Sequence, residues 1–314
     1  MTLPDFLPSV CSTPLTGGCY IFLLLIIYSF LGWCGEMVYC SIGQRKLCEK
    51  RGFLNGPLCP IYGHGALVVL LALDGGCSNP LLTFFFGAIL TSAVEYVTSW
   101  AMEKLFHMRW WDYSRYKFNL GGRICLLNST LFGLACVLLC HWCNPILSVW
   151  VARLFEKGVG VPLAVVLAVI YLSDIVLSVR SAIQIGNRLE KLHAVYNELN
   201  EKLEQLKEEQ RQAMEAQRAK MEEAMAAARQ TAAERTAEAA QKIQSKLEPL
   251  DELGGELSQR LEALKADAQQ RANALYEKQD IFERRLMRSY PSLRSPRHGE
   301  ALKKLREYWE KRKK

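Results

Sequence analysis

Acidic side chains inside apolar runs are the first candidates for chemistry in this sequence. Glu36, Glu95 and Asp174 each stand within a stretch of mainly apolar residues, and His64 and Asn128 stand in two more. A charge at mid-membrane costs roughly 2.5–3.5 kcal/mol on insertion scales, so such residues usually have a partner or a function. Together they indicate a functional polar cavity within the membrane.

These five residues are predicted to lie at a similar depth. Counted from the expected cytoplasmic ends of their helices, they lie about four to eight residues deep, which is about 6–12 Å at 1.5 Å per residue. If they face inward, they form one polar pocket open to the cytoplasm. The alternative is that they only hydrogen-bond neighbouring helices to one another.

A Gly/Pro-rich stretch at 51–65 contributes Asn55 and Tyr62. Repeated Gly and Pro residues do not favour a regular helix there. Non-helical backbone at membrane depth needs protein or a water-filled cavity around it, so we expect this stretch to re-enter the membrane or line the mouth of the pocket.

Further candidates for binding or ion pairing follow the third apolar run: Trp111, Asp112, Asn119 and Arg123. A pair of tryptophans at 110–111 is equally typical of an interfacial aromatic belt.

The elements that position these residues are predicted membrane spans. Mean hydropathy is near zero only because an apolar half, up to residue 185, is followed by a half rich in charged residues and alanine. An apolar run of roughly 18 residues or more can cross a hydrocarbon core of about 30 Å. We predict an all-α fold, a polytopic membrane helix bundle of about five spans followed by a long cytoplasmic coiled coil or helical hairpin. The predicted spans are 19–40, 57–73, 81–103, 124–143 and 159–180, with 145–155 at the interface.

Loop charges predict the orientation of the spans, because cytoplasmic loops are enriched in Lys and Arg. Residues 1–18 contain neither, the loop after the first span contains four, the loop after the second contains none, and 104–123 is basic. Five spans then place the N-terminus outside and the C-terminus in the cytoplasm of a multi-pass plasma-membrane protein. The first apolar run is not preceded by a basic residue and is too long for a typical signal-peptide core.

The cysteines do not indicate a metal site. Most of the eleven lie within or beside apolar runs, where cysteine behaves as a small hydrophobic residue. The tightest pattern joins Cys140, His141 and Cys143, and a zinc site would need a fourth ligand. We expect packing or an outer-face disulfide for Cys140 and Cys143, and neither a metal nor a cofactor.

The C-terminal half predicts long helices. From Ile185 to Leu206 apolar residues alternate at spacings of four and three, as in a coiled-coil seam. Pro249 and the glycines at 254–255 are expected to break the helix, and a second pattern follows from Leu261. An intrachain hairpin and a parallel homodimer both remain open.

The predicted domains are 1–18, 19–180, 181–288 and a basic tail at 289–314. That tail suits anionic lipid or an acidic partner, and a solvated basic tail fits the sequence equally well. No recognition module for nucleic acid is present.

Several long motifs resemble a known family. They are GWCGEMVYC at 32–40, RGFLNGPLCPIYG at 51–63, EYVTSWAMEKLF at 95–106, RWWDY at 109–113 and FNLGGRICL at 118–126. They resemble the type IV ABC-transporter permease family, which is CmpB-like, over roughly 19–180. The phrase YPSLRSPR at 290–297 is also similar to tails of that family. The resemblance implies a multispanning permease component and names no substrate.

The first functional hypothesis is a permease component with a polar cavity facing the cytoplasm. The sequence contains no G-x-x-x-x-G-K-[ST] phosphate loop, so any ATP use needs a separate ATPase subunit, for which 104–123 is the natural docking surface. One alternative is a membrane scaffold or signalling protein that works through its coiled coil. Another is an intramembrane enzyme for a lipid-like substrate, with Glu36, Glu95 and His64 as acid/base groups. Because no nucleophile motif or metal set supports the enzyme, we predict a protein that is not an enzyme and binds the lipid bilayer.

Overall fold

Most of the described chain is helical. The computed structural model describes residues 8–9, 12–44, 52–73, 79–230, 236–277 and 281–311. Several helices begin at a proline, whose missing N–H has no helical partner to lose at that position. The helices are α1 (Pro14–Gln44), α2 (Pro60–Ala72), α3 (Pro80–Phe106), α4 (Leu126–Leu138), a π-helical turn (Leu139–Cys143), α5 (Asn144–Glu156), α6 (Gly160–Gln230), α7 (Thr236–Glu277), α8 (Ile281–Ser289) and α9 (Gly299–Lys311). A short antiparallel hairpin pairs β1 (Asn119–Leu120) with β2 (Ile124–Cys125).

The chain folds into two compact units. The first, called here the membrane unit, comprises Met1–Asn187 and Gln279–Gly299, and the second comprises Arg188–Lys278 and Glu300–Lys314. The predicted domain ranges 181–288 and 289–314 differ from these units. The segment 279–299 belongs with the membrane unit because its side chains pack on loops of that unit.

Four helical runs are long and apolar enough to cross a membrane. They are Pro14–Ile42, Pro80–Phe106, Leu126–Glu156 and Gly160–Ala226, and only the first part of the last run is apolar. The first, third, fourth and fifth predicted spans are therefore confirmed as apolar helices of sufficient length. The protein is a multi-pass, all-helical membrane protein.

The second predicted span, 57–73, is only partly helical and is shorter than the other four. The helix α2 has 13 residues, or about 20 Å, against a hydrocarbon core of about 30 Å. The chain before it is non-helical at 52–59, as predicted, and the Cys59 amide donates to the Ser29 carbonyl at 3.0 Å, midway along α1. Residues 60–65 are helical against expectation. Gly63 allows this helical turn to pack closely on α1, because a Cβ at Gly63 would lie 2.2 Å from Ser29 Oγ.

The fourth predicted span and the predicted interfacial segment form one continuous helix. The π-helical turn joins α4 to α5, and the Asn144 amide donates to the Leu139 carbonyl five residues back. Pro145 cannot donate a helical hydrogen bond, and a wider turn just before a proline accommodates that loss. The segment 145–155 therefore continues the helix of the fourth predicted span, and its interfacial position stays a prediction. The thiol of Cys143 is free, so the alternative of a Cys140–Cys143 disulfide is wrong.

The second unit contains contacts between α6 and α7. The hydroxyls of Tyr196 and Tyr276 lie 2.7 Å apart, and Arg271 pairs with Glu198 at 2.8 Å. The Arg188 guanidinium donates to the Leu275 carbonyl. These contacts join α6 and α7 within one chain, and the predicted hairpin stays a prediction. The coiled coil and the homodimer remain predictions.

The predicted helix break at Pro249 and Gly254–Gly255 is wrong. The helix α7 runs without interruption from Thr236 to Glu277. A proline costs one backbone hydrogen bond, but the surrounding Leu, Glu, Lys and Gln residues strongly favour helix. The helices instead end and begin on either side of residues 231–235, which lie outside the described residues.

A candidate polar site in the membrane unit

Glu36 on α1 accepts a hydrogen bond from α2, which packs against α1. The Tyr62 hydroxyl on α2 donates to Glu36 Oε2 at 2.6 Å, and the Cys40 thiol donates to Oε1 at 3.4 Å. Tyr62 can approach because Gly32 on α1 has no side chain: a Cβ there would lie 2.2 Å from Tyr62 Cβ. The glycine therefore allows the contact that brings Tyr62 to Glu36.

Glu95 on α3 is the most deeply buried acid of the site. Only 4 % of its surface is exposed, and the Tyr113 hydroxyl donates to its Oε1 at 3.1 Å. Its Oε2 is buried and has no hydrogen-bond partner among the described residues. Burial, and then the nearby charge of Glu95, raise the pKa of Tyr113, so the phenol stays protonated and acts as the donor.

Glu36 and Glu95 belong to one cluster. Their carboxyl groups are close enough for their charges to interact, and both also act electrostatically on Tyr113. Three separate helices and the loop after α3 therefore bring two carboxyl groups and two phenols together; we call this set the carboxyl cluster (Glu36, Tyr62, Glu95 and Tyr113). It offers acceptors for a proton or a cation.

The loop after α3 is held to its helix by an ion-pair network. Glu103 Oε2 accepts from Arg123 at 2.6 Å and from Arg109 at 2.8 Å, and Arg123 also donates to Ser99 Oγ. The Trp111 indole donates to the Arg123 carbonyl at 3.0 Å. Trp111 and Arg123, predicted as binding residues, thus help to fix the loop that carries Tyr113.

Asn119 is the first residue of β1 and holds the backbone around the turn of the β-hairpin. Its Oδ1 accepts from the Gly122 amide at 3.0 Å, and its Nδ2 donates to the Tyr116 carbonyl at 2.8 Å. Gly122 has a φ of 71°, which favours glycine, and a Cβ there would meet Ser114 and Asp112. Both side-chain groups of Asn119 therefore hold backbone of its own loop.

Asp174 on α6 holds the non-helical stretch that precedes α2. Its Oδ1 accepts from the amide and the side-chain nitrogen of Asn55, both at 2.8 Å, and its Oδ2 accepts from the Gly56 amide at 2.7 Å. Asn55 and Asp174 were both predicted as site residues, and the structure pairs them. Their contact fixes backbone rather than joining the carboxyl cluster.

The same stretch is held from its other side by α8. The Arg285 guanidinium donates to the carbonyls of Gly52, Phe53 and Leu54. Burial lowers the pKa of Arg285, while the charge of Asp174 raises it. An arginine more than two hundred residues away in sequence thus donates hydrogen bonds to backbone carbonyls in a stretch that is not helical.

Residues 290–298, which contain the tail phrase, dock on the loop after α3. Arg109 and Arg294 exchange two backbone hydrogen bonds at 2.7 and 2.8 Å, and Arg294 pairs with Asp112 at 2.6 Å. Trp110 is 2 % exposed and makes an edge contact with Tyr290, so an interfacial role for Trp110 is wrong. Burial acts to raise the pKa of Asp112, but hydrogen bonds from Ser114 and the charge of Arg294 lower it overall. Asp112 therefore anchors this segment.

Two predicted site residues make no described hydrogen bond to the carboxyl cluster. His64 is exposed on α2, and its Nδ1 bonds to the carbonyl of Pro60 on its own helix. Asn128 is half-buried on α4, and no described hydrogen bond links it to Glu36 or Glu95. The acid/base trio required by the enzyme hypothesis is therefore not assembled in the described structure.

Sequence reasoning missed Tyr113, Arg285 and Arg294 as site residues. Tyr113 lies within a motif that was recognised, but its aromatic character suggested an interface rather than a donor. Arg285 and Arg294 were counted only as parts of the helical extension and the basic tail. No local signal distinguishes an arginine that binds a distant loop from one that is solvated.

The membrane unit also matches a known family by sequence. A family model described as “Putative ABC-transporter type IV” matches residues 23–179. This range contains the carboxyl cluster and the Asp174 contact. No curated protein and no solved structure matches the chain significantly.

Proposed function

Because the chain belongs to the family of putative ABC transporters of type IV, we propose that it is the membrane permease component of a transporter. In this proposal the carboxyl cluster is a polar site that opens to the cytoplasm, and any ATP hydrolysis takes place on a separate subunit. The absence of a phosphate loop from the 314 residues supports the second point.

One observation carries the proposal: two acids from different membrane helices, Glu36 and Glu95, meet in one cluster, where a phenol hydroxyl donates to each of them. Glu103, on the same helix as Glu95, is held by two arginines, as expected for a structural acid. Two carboxyl groups cost much more in an apolar bundle than in water, and such intramembrane acids commonly mark a solute or ion pathway.

The proposed orientation places the N-terminus outside and the C-terminus in the cytoplasm. Basic residues in alternate loops support it. The non-helical stretch at 52–59 and α2 would together make the second crossing, which keeps the number of crossings odd. The ATPase would then dock on the cytoplasmic surface that includes 104–123. A reporter fused at residue 78 should be extracytoplasmic, and a cytoplasmic reporter would contradict this orientation.

The test of function compares solute contents of cells that lack the gene. Expression of the wild-type protein should restore the intracellular level of at least one ion or metabolite. Glu36→Gln and Glu95→Gln should fail to restore it although they accumulate in the membrane, because each removes an ionisable group and leaves the shape of the side chain. Glu156→Gln, a change at the exposed end of α5, is the matched control and should behave like wild type.

Two results would contradict the proposal. Full restoration by both cluster variants would show that the acids do not serve transport. Failure of both variants to accumulate would assign the acids to the stability of the bundle, since a broken buried polar network destabilises its surroundings.

A further inference from the structure

The tip of the β-hairpin between α3 and α4 exposes apolar side chains. Phe118 is 80 % exposed and Leu120 is 60 % exposed, although β1 and β2 are closed on each other by backbone pairing. Leu126 and Leu127 in the first turn of α4 are exposed as well. Single exposed apolar residues are common on protein surfaces, whereas a group of them marks a surface that contacts a partner or a membrane.

The backbone holds Phe118 in its exposed position. Its φ of 54° lies in the left-handed region, which bulky residues adopt uncommonly. The Leu126 amide donates to the Phe118 carbonyl at 3.0 Å, and Asn119 Nδ2 donates to the Tyr116 carbonyl at 2.8 Å. Such a conformation costs free energy and persists only where its surroundings enforce it, often at a functional position. The exposed phenyl ring is therefore a fixed feature of the turn.

The bond between Leu126 and Phe118 sets the level of the ring relative to the membrane. Leu126 is the first residue of the apolar helical run Leu126–Glu156, which has 31 residues. At 1.5 Å per residue this run is about 46 Å long, close to the roughly 40–45 Å of a bilayer with its headgroups. Its first turn therefore lies at headgroup level, and the hairpin continues the exposed apolar surface of α4 at that level.

Two cations stand beside the exposed ring. Arg115 and Lys117 are exposed, and neither takes part in an ion pair among the residues that the structure describes. The acids nearest to them in sequence are already paired, Asp112 with Arg294 and Glu103 with two arginines. Lys and Arg at a membrane surface attract lipids with a negative headgroup. The tip thus combines positive charge with an apolar group, the combination that binds proteins to membrane surfaces.

We propose that the hairpin tip, residues 115–120, is an interfacial anchor that binds anionic phospholipid. Phe118 and Leu120 lie among the acyl chains next to the headgroups, and Arg115 and Lys117 bind the lipid phosphate through charge-assisted hydrogen bonds. The level of the ring at the headgroups favours lipid over a water-soluble protein partner. The inference goes beyond the proposed function and does not depend on it, since such an anchor serves a scaffold as well as a permease.

Photo-crosslinking of the full-length protein in lipid nanodiscs tests the proposal. A photoreactive analogue, benzoylphenylalanine, replaces Phe118, and the nanodiscs contain equal parts of anionic phosphatidylglycerol and zwitterionic phosphatidylcholine. After irradiation, mass spectrometry identifies the molecule attached to the protein. We expect lipid adducts in which phosphatidylglycerol exceeds phosphatidylcholine about fivefold or more, because each Lys or Arg near an anionic membrane surface contributes roughly that factor.

Three other positions for the analogue calibrate the result. Leu134 is exposed further along α4, so the analogue there should attach to both lipids equally. Gln212 is exposed on the polar part of α6, so the analogue there should give no lipid adduct. At Leu120 the analogue should reproduce the preference for phosphatidylglycerol, which gives a second reading if the change at Phe118 prevents folding.

A paired substitution tests the cations. Arg115→Gln combined with Lys117→Gln should lower the ratio of the two lipid adducts at position 118 to near one, while lipid adducts persist because the apolar group remains. Arg218→Gln combined with Lys220→Gln removes the same charges from exposed positions on the polar part of α6, so the ratio should not change. High salt should also lower the ratio, because it screens exposed charges.

Each of three results would overturn the inference. The first is the absence of lipid adducts at both tip positions, which would place the tip in water. The second is equal attachment to the two lipids while both cations are present. The third is attachment of position 118 to a protein instead of a lipid in irradiated cells, which would identify a protein docking surface. None of these results depends on transport, so the anchor and the proposed function can fail separately.

Discussion

Replacement of Arg285 by alanine should release the segment that docks on the membrane unit. The guanidinium donates to three consecutive carbonyls, at Gly52, Phe53 and Leu54, and it is partly buried. Hydrogen bonds to a charged group contribute about 1.5–3 kcal/mol each to stability when measured singly. Truncation lets water reach the carbonyls, so we expect a net loss of about 3 kcal/mol for the group of three, near the upper value for one such bond.

A loss of about 3 kcal/mol corresponds to a roughly 100-fold larger population of the undocked segment. Limited trypsin digestion reports that population, because cleavage follows the open state when opening and closing are fast relative to cutting. In protein held in nanodiscs, the rate of trypsin cleavage after Arg288 and Arg294 is measured by mass spectrometry. In Arg285→Ala this rate should rise by up to about 100-fold.

The neighbouring residue provides the matched control. Arg284 is exposed on the same helix, so Arg284→Ala makes the same change in charge and helix composition without removing those contacts. It should leave the cutting rate within about threefold of wild type, since exposed substitutions usually change stability by less than 0.5 kcal/mol or so. Equal rates for the two variants would refute the role assigned to Arg285.

Three other changes test separate contacts. Asp174→Asn keeps one acceptor oxygen, whereas the loop offers two backbone N–H donors and the side-chain amide of Asn55. The expected loss of about 2 kcal/mol should lower the midpoint temperature of thermal unfolding in detergent by roughly 4–8 °C. Gly63→Ala should destabilise the bundle by about 1–3 kcal/mol through overlap with α1, whereas Gly35→Ala, with no atom within 4 Å of its Cβ, should be neutral or slightly stabilising; equal melting temperatures would contradict this. Hydrogen bonds from Arg271 and a lysine lower the pKa of Glu198 from 4.5 to about 2, so this contact stabilises the fold above pH 4.5 and is lost as the pH falls towards 2. Circular dichroism should show that part of the acid sensitivity disappear in Glu198→Gln, and an unchanged acid profile would contradict the pairing.

Span positions could be predicted because the signal is local. Length and apolar composition locate four of the spans without any knowledge of their neighbours. The helix bounds of the second span could not be predicted because its fold depends on tertiary contacts. Asp174 and Arg285 satisfy non-helical backbone, and Gly63 allows α2 to pack closely on α1. Composition alone cannot distinguish a short helix with a supported loop from a full span.

The carboxyl cluster was predictable only in part. Depth along each helix predicts one level for Glu36 and Glu95, and the structure joins them in one cluster. Depth says nothing, however, of the direction around a helix, which turns by about 100° per residue. His64 and Asn128 have similar predicted depths, yet the described contacts do not join them to the cluster. Tyr113 could not be assigned because its loop returns to α3 through contacts of Glu103 and Arg123, which no periodicity encodes.

The docked segment and the carboxyl cluster are connected through one short piece of backbone. Arg285 binds carbonyls at 52–54, Asp174 binds amides at 55–56, and Cys59 bonds to the middle of α1. Three residues later Tyr62 donates to Glu36. Because this backbone is non-helical up to Cys59, its position depends on those external partners rather than on hydrogen bonds of its own. The geometry of the Tyr62–Glu36 bond therefore depends on α6 and α8 as well as on α1. Removal of Asp174 or of Arg285 should change the Tyr62–Glu36 contact more than it changes the packing of α3 against α4.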